Sequence, residues 1–199
     1  MPRPRTVVQL PAGYQEVYAL RVTQGYRLLW LNIVALGVFV LWLGLWGGYL
    51  VGYHALGAPL VVPGLPDALP HWLGWALVLM VLPLHEWLHG LAMRYFGHQP
   101  RYGVKLLLGV LYATSDGAYF WRDQFIRVAL APLALISLVG AGLALVLPFG
   151  LAYWVIIAVI LNATGALGDL WMVRVARRFE PQALILDEAD GMRVFSPSL

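Results

Sequence analysis

The chain has 199 residues, of which 61% are hydrophobic and 12% charged, with no cysteine and a formal charge of +3. Soluble domains carry roughly 45–50% apolar and about 25% charged residues, so this composition excludes an ordinary soluble domain and, equally, a disordered chain. The missing cysteines exclude disulfides, thiolate metal sites and a cysteine nucleophile, and so small a net charge argues against a nucleic acid partner.

In chain order, Glu16–Val22 (EVYALRV) reads as a strand. Leu28–Val51 is the first apolar stretch long enough to span a bilayer, which takes roughly 20 helical residues. It starts too late and runs too long for a cleavable signal peptide, and it lacks an A-x-A-like site. A loop over Gly52–His71 follows, with four prolines and the single charge Asp67. Trp72–Phe96 is the second apolar stretch and contains Pro83, which either kinks the helix and admits water or is simply tolerated. Gly103–Ala113 reads as a strand, and Ser115-Asp116-Gly117 as a turn leading to Ala118–Trp121. That Gly103–Trp121 hairpin serves either as a cap over the helix ends or as an edge for an extended substrate to pair with. Val128–Phe149 and Leu151–Val173 are the third and fourth apolar stretches, joined by a tight turn at Pro148 and Gly150. Ala183–Asp187 and Met192–Phe195 flank Ala189-Asp190-Gly191, a second hairpin signal.

All 13 Lys and Arg fall on one side of these stretches, and none lies in Gly52–His71 or at the Pro148 turn. The positive-inside rule then places both termini and the middle segment in the cytoplasm. The expected fold is an all-α membrane protein of four transmembrane helices, with a small cytoplasmic β-layer, forming one domain over residues 1–199.

Ionisable groups inside the apolar stretches are few: His85, Glu86, His89 and Arg94 in the second and Asp169 in the fourth. Each is costly in hydrocarbon and so points to function. His85-Glu86-Trp87-Leu88-His89 is an H-E-x-x-H motif. Four residues apart on a helix, the two imidazoles share a face and can converge on one metal ion, beside which Glu86 can deprotonate a bound water. The bland alternative is a polar cluster that holds helices together. Two His leave a tetrahedral zinc site one protein ligand short, and the candidates are Asp169, His98, His54 and Asp116. Depth favours Asp169. His89 is five residues before Arg94 and Asp169 five before Arg174, so at 1.5 Å per residue both lie about 7–8 Å inside a boundary charge. Asn162, Gly165 or Ala166, and Asp169 share a helical face. Asn162 is either an oxyanion donor or an interhelical hydrogen-bond partner, and Gly165 and Gly168 read as packing positions.

Leu84-His85-Glu86-Trp87-Leu88-His89-Gly90, together with Asn162 to Asp169 and the Ala129–Leu135 stretch (ALAPLAL), resembles membrane-embedded zincins of the site-2 protease type. The likeness is strongest to a family of small four-helix bacterial zincin peptidases of unknown function and covers about Arg27–Arg174. Site-2 proteases carry Asn, a proline and an Asp-Gly pair in the later motif. Here Leu170 stands where that Gly would be, and the proline is missing. The resemblance implies His85, His89 and Asp169 as Zn2+ ligands, Glu86 as catalytic base, and an intramembrane metallopeptidase in a bacterial cell membrane. Its partners would be the lipid bilayer and a membrane protein or peptide substrate. Two other readings share the same residues: a non-catalytic membrane protein with a structural or regulatory metal site, and a small metal-handling transporter.

Overall fold

The computed structural model describes residues 6–21, 26–105, 110–115, 117–188 and 191–198. The described residues form five helices and six strands. In chain order these are β1 (Tyr14–Arg21), α1 (Tyr26–Ala55), α2 (His71–Tyr95), β2 (Pro100–Lys105), β3 (Val110–Ser115), β4 (Tyr119–Trp121), α3 (Arg122–Val146), α4 (Phe149–Gly165), α5 (Leu167–Ala176), β5 (Leu184–Glu188) and β6 (Gly191–Pro197). Arg3, Arg5, Val22, Asp116, Ala189 and Asp190, on which some of the expectations rest, lie outside the described residues.

The chain divides into two compact units. One is helical, with most of α1, the first part of α2, the later part of α3 and α4. Leu50, Ala144, Ala152, Ile156 and Ile160 form its buried cluster. Close approach needs small residues: a Cβ at Gly140 would overlap Val159, and one at Gly74 would overlap the Trp154 ring. The turn between α3 and α4 is as tight as expected, with only Leu147 and Pro148 between them. The 56–70 loop packs over this turn. Val62 N–H donates to the Val146 carbonyl (2.9 Å), and the Asp67 carbonyl sits where Gly150 lacks a side chain. By length and composition three helices are long and apolar enough to cross a membrane, or four if the bent pair α4–α5 counts as one.

The fourth apolar stretch is not a single helix. It breaks at Ala166 (φ −73°, ψ 2°), whose N–H still bonds to the Asn162 carbonyl (2.9 Å). Gly165 and Gly168 flank the break, and among the described residues a Cβ at either would meet nothing within 4 Å. They are therefore not the packing positions the sequence suggested. Glycine's cost in a helix interior is what makes this the weak point of the span.

The second unit carries the strands, with the last turns of α2, the first turns of α3, and α5. A four-stranded antiparallel sheet runs β1-β6-β5-β4, and β2 and β3 form a separate two-stranded hairpin. The β5–β6 hairpin matches the expectation, with Glu188 opposite Gly191. The expected Gly103–Trp121 hairpin does not form as read. β3 pairs with β2, with Gly103 opposite Tyr112, while β4 joins β5, with Phe120 opposite Ile185. The pattern of apolar residues identified the strands but not their partners. Leu20, Phe120, Leu184, Ile185, Met192 and Val194 are almost fully buried in this unit.

Candidate metal centre

The H-E-x-x-H motif lies on α2, which continues through Pro83 to Tyr95. One helical turn separates His85 from His89, so both rings leave the helix on one face. His89 is 7% exposed, and its Nδ1 is 3.0 Å from the Val128 carbonyl oxygen. A carbonyl only accepts, so Nδ1 carries a proton, and Nε2 is the ring nitrogen that could ligate a metal. The sequence explains why that carbonyl is available. Val128 lies four residues before Pro132, which sits inside α3 and has no N–H to close the usual helical bond. The proline that interrupts the α3 ladder thus provides the acceptor that orients His89.

His85 is held in the same way. Its Nδ1 donates to Asn162 Oδ1 at 2.8 Å, so that Nε2 is again the nitrogen that could ligate a metal. Asn162 is 2% exposed and sits in the last turn of α4, just before the break at Ala166. Imidazoles that ligate metals commonly donate their other ring N–H to a carbonyl or carboxylate, and both histidines meet that requirement here.

Asp169 stands in the first turn of α5, where the positive end of the helix dipole favours a carboxylate. Its Oδ2 lies 3.4 Å from His89 Nε2. His85, His89 and Asp169 each offer one ligand atom, and these atoms lie within 4.8 Å of one another. Zinc bonds of about 2.0–2.1 Å at tetrahedral angles put neighbouring ligand atoms about 3.3 Å apart, close to the His89–Asp169 separation. The donor set, two imidazoles and one carboxylate, suits zinc and leaves a fourth position for water or substrate.

Glu86, half-buried on the same turn, carries the motif's carboxylate. The other candidate ligands are elsewhere. His98 is buried with its ring 4.0 Å from that of Phe120, and burial lowers its pKa. His54 packs edge-on against Tyr53 and Phe149 at the end of α1. Asp116 lies outside the described residues.

Two residues near the group escaped the sequence reading. Asp187 on β5 has its carboxyl pushed up to about 8, chiefly by burial, with His89 opposing and Asp169, Glu86 and Glu188 adding to the rise. An acid directly after the apolar run Ala183–Leu186 was its only signal. Tyr102 on β2 rests its phenol on Gly90, where a Cβ would fall on the hydroxyl. A glycine in mid-helix directly after the motif was the sign of that close approach.

A family model described as putative zincin peptidase matches residues 78–184. That span takes in α2 from Val78 onward, β2, β3, β4, α3, α4, α5 and the first residue of β5. No curated protein and no solved structure matches the chain significantly.

Proposed function

The chain belongs to the putative zincin peptidase family, and from that premise we propose that it is a membrane-embedded zinc peptidase. In this reading it hydrolyses peptide bonds of membrane-associated polypeptides near the cytoplasmic face. The observation that carries the proposal is the pair of histidines on one turn of α2, each with Nδ1 committed to a carbonyl oxygen, and the Asp169 carboxylate 3.4 Å from His89. A polar cluster serving only to join helices has no need of that shared tautomer.

Zinc bound there would supply Lewis acidity toward the scissile carbonyl and acidify its water. His85, His89 and Asp169 would hold it. Glu86 accepts a proton from the attacking water as the water oxygen bonds to the carbonyl carbon. It returns that proton to the amide nitrogen as the C–N bond breaks, leaving a carboxylic acid and an amine. Asn162 orients His85 through Oδ1. Its buried Nδ2, which has no hydrogen-bond partner among the described residues, serves as a donor to the developing oxyanion.

Membrane insertion is supported by the exposed apolar surface. The most apolar 18-residue window of α1 has no buried residue, and Leu29, Trp30, Ile33, Leu36, Val40 and Leu41 are all at least half exposed. Such a surface suits lipid and not water. The one-sided positive residues orient it, with the strands, both termini and the metal-binding end on the cytoplasmic side.

The test compares wild type with Glu86→Gln in detergent micelles, measuring zinc content and cleavage of unfolded casein. The expected result is equal zinc in both and cleavage only by wild type, because Glu86 is not a ligand. Cleavage by Glu86→Gln at the wild-type rate refutes the peptidase reading. Wild type without zinc refutes the metal centre.

A further inference from the structure

Gly90 follows the second histidine of the motif and is buried. The Tyr102 hydroxyl occupies the space where its side chain would be, with the rest of the phenol close behind. At 3.6 residues per turn, Glu86 lies between His89 and Gly90 in projection, about 40° from the glycine. Residues four apart have Cβ positions about 5–6 Å from each other. The hydroxyl of Tyr102 is therefore held one helical turn from the origin of the Glu86 side chain, on its own flank of α2. No described residue hydrogen-bonds to that hydroxyl, although β2 fixes where it sits. Tyr102 also lines a cavity of about 440 Å³ with Tyr112, Thr114 and Asp187, and Asp187 is within electrostatic range of Glu86, His89 and Asp169.

We propose that Tyr102 is a catalytic residue, its hydroxyl donating a hydrogen bond to the oxygen of the scissile carbonyl. This rests on the peptidase reading above. A phenol suits the task. It is a rigid donor and costs little to leave partially solvated until substrate arrives. The hydrogen bond strengthens as the carbonyl oxygen gains charge during water addition, so its contribution falls on kcat. Gly90 has a specific part in this, since any side chain there would displace the phenol.

The experiment uses the full chain, zinc-loaded in detergent micelles, as wild type, Tyr102→Phe and Gly90→Ala. Zinc content is measured first. Binding of a phosphinic pseudopeptide, whose tetrahedral phosphorus carries oxygens in the addition geometry, is then titrated beside acetohydroxamate, which engages the metal alone. Tyr102→Phe keeps the ring and loses only the hydroxyl. Expected are unchanged zinc, unchanged acetohydroxamate affinity, and phosphinate affinity at least tenfold weaker in both variants. Casein cleavage by Tyr102→Phe should show kcat lower by about 10²–10³-fold, the usual loss for one oxyanion donor, with KM within twofold. Phosphinate bound as tightly by Tyr102→Phe as by wild type overturns the assignment while leaving the peptidase reading standing. A raised KM with unchanged kcat also overturns it, making Tyr102 a substrate anchor. A wild type that binds neither zinc nor phosphinate removes the peptidase reading and this inference with it.

Discussion

Asn162 offers the sharpest test of how the metal centre is built, because its two side-chain ends have separable duties. Oδ1 accepts from His85 Nδ1 at 2.8 Å, while Nδ2 is buried with no partner among the described residues. Asn162→Leu keeps the volume of a side chain that is 2% exposed but removes both ends. His85 then loses the acceptor that fixes its tautomer and ring orientation. Such outer partners of metal-bound histidines are worth about 10–100-fold in affinity, or about 1.4–2.7 kcal/mol. Asn162→Asp keeps an acceptor for His85, so zinc affinity should stay at or above the wild-type value. It lacks the amide donor, so cleavage should fall by about 10²–10³-fold, the loss seen on removing one oxyanion donor. Zinc affinity is read by competition with a chromophoric chelator and cleavage on casein. The reasoning is refuted if Asn162→Leu binds zinc as tightly as wild type, or if Asn162→Asp cleaves at the wild-type rate.

Asp169→Ala should lose most bound zinc and His98→Ala should keep it, because among the described residues Asp169 stands with the two histidines and His98 does not; metal analysis giving the opposite pair of results removes Asp169 from the sphere. Pro132→Ala restores an N–H that competes for the Val128 carbonyl. It should strengthen α3 by up to about 3 kcal/mol yet weaken zinc severalfold, with His89 losing its fixed Nδ1–H in nitrogen NMR; an unchanged His89 signature would count against the role given to the proline. Asp187 carries a pH prediction for the zinc-free protein. Its carboxyl titrates at about 8 when folded and about 3.9 when unfolded, so between those values the folded chain holds a proton that the unfolded chain has lost. Stability should therefore fall as pH rises from about 4 to about 8, by at most about 1.4 kcal/mol per unit. Asp187→Asn should flatten that slope and raise Tm at pH 7, and a melting curve with the wild-type pH dependence would refute the assignment.

The parts of this protein that were legible in the sequence are those set by one segment's own periodicity. Spacing of four puts His85 and His89 on one face whatever surrounds the helix, and runs of apolar residues mark α1, α2 and α3 because length and hydropathy are local properties. Asp169 was within reach through its distance from a boundary charge, which again needs only the rise of a helix. The partners that make these residues a centre were not legible. His89 meets a carbonyl 39 residues away and His85 an amide 77 residues away, and no local pattern encodes which acceptor a ring nitrogen will find. Strand pairing failed for the same reason. The turn chemistry at 115–117 was read as closing a hairpin, but β4 buries Phe120 completely against β5, and that burial outweighs the nearer partner. The break at Ala166 was written in two flanking glycines, but glycine serves close packing and broken helices alike, and only the surroundings distinguish them. Sequence alone determined the chemistry available: two imidazoles and two carboxylates in apolar helices. Tertiary structure decided which carbonyl each ring's Nδ1 meets, which proline frees the acceptor and which tyrosine rests on the glycine after the motif, because these depend on contacts between segments far apart in the chain.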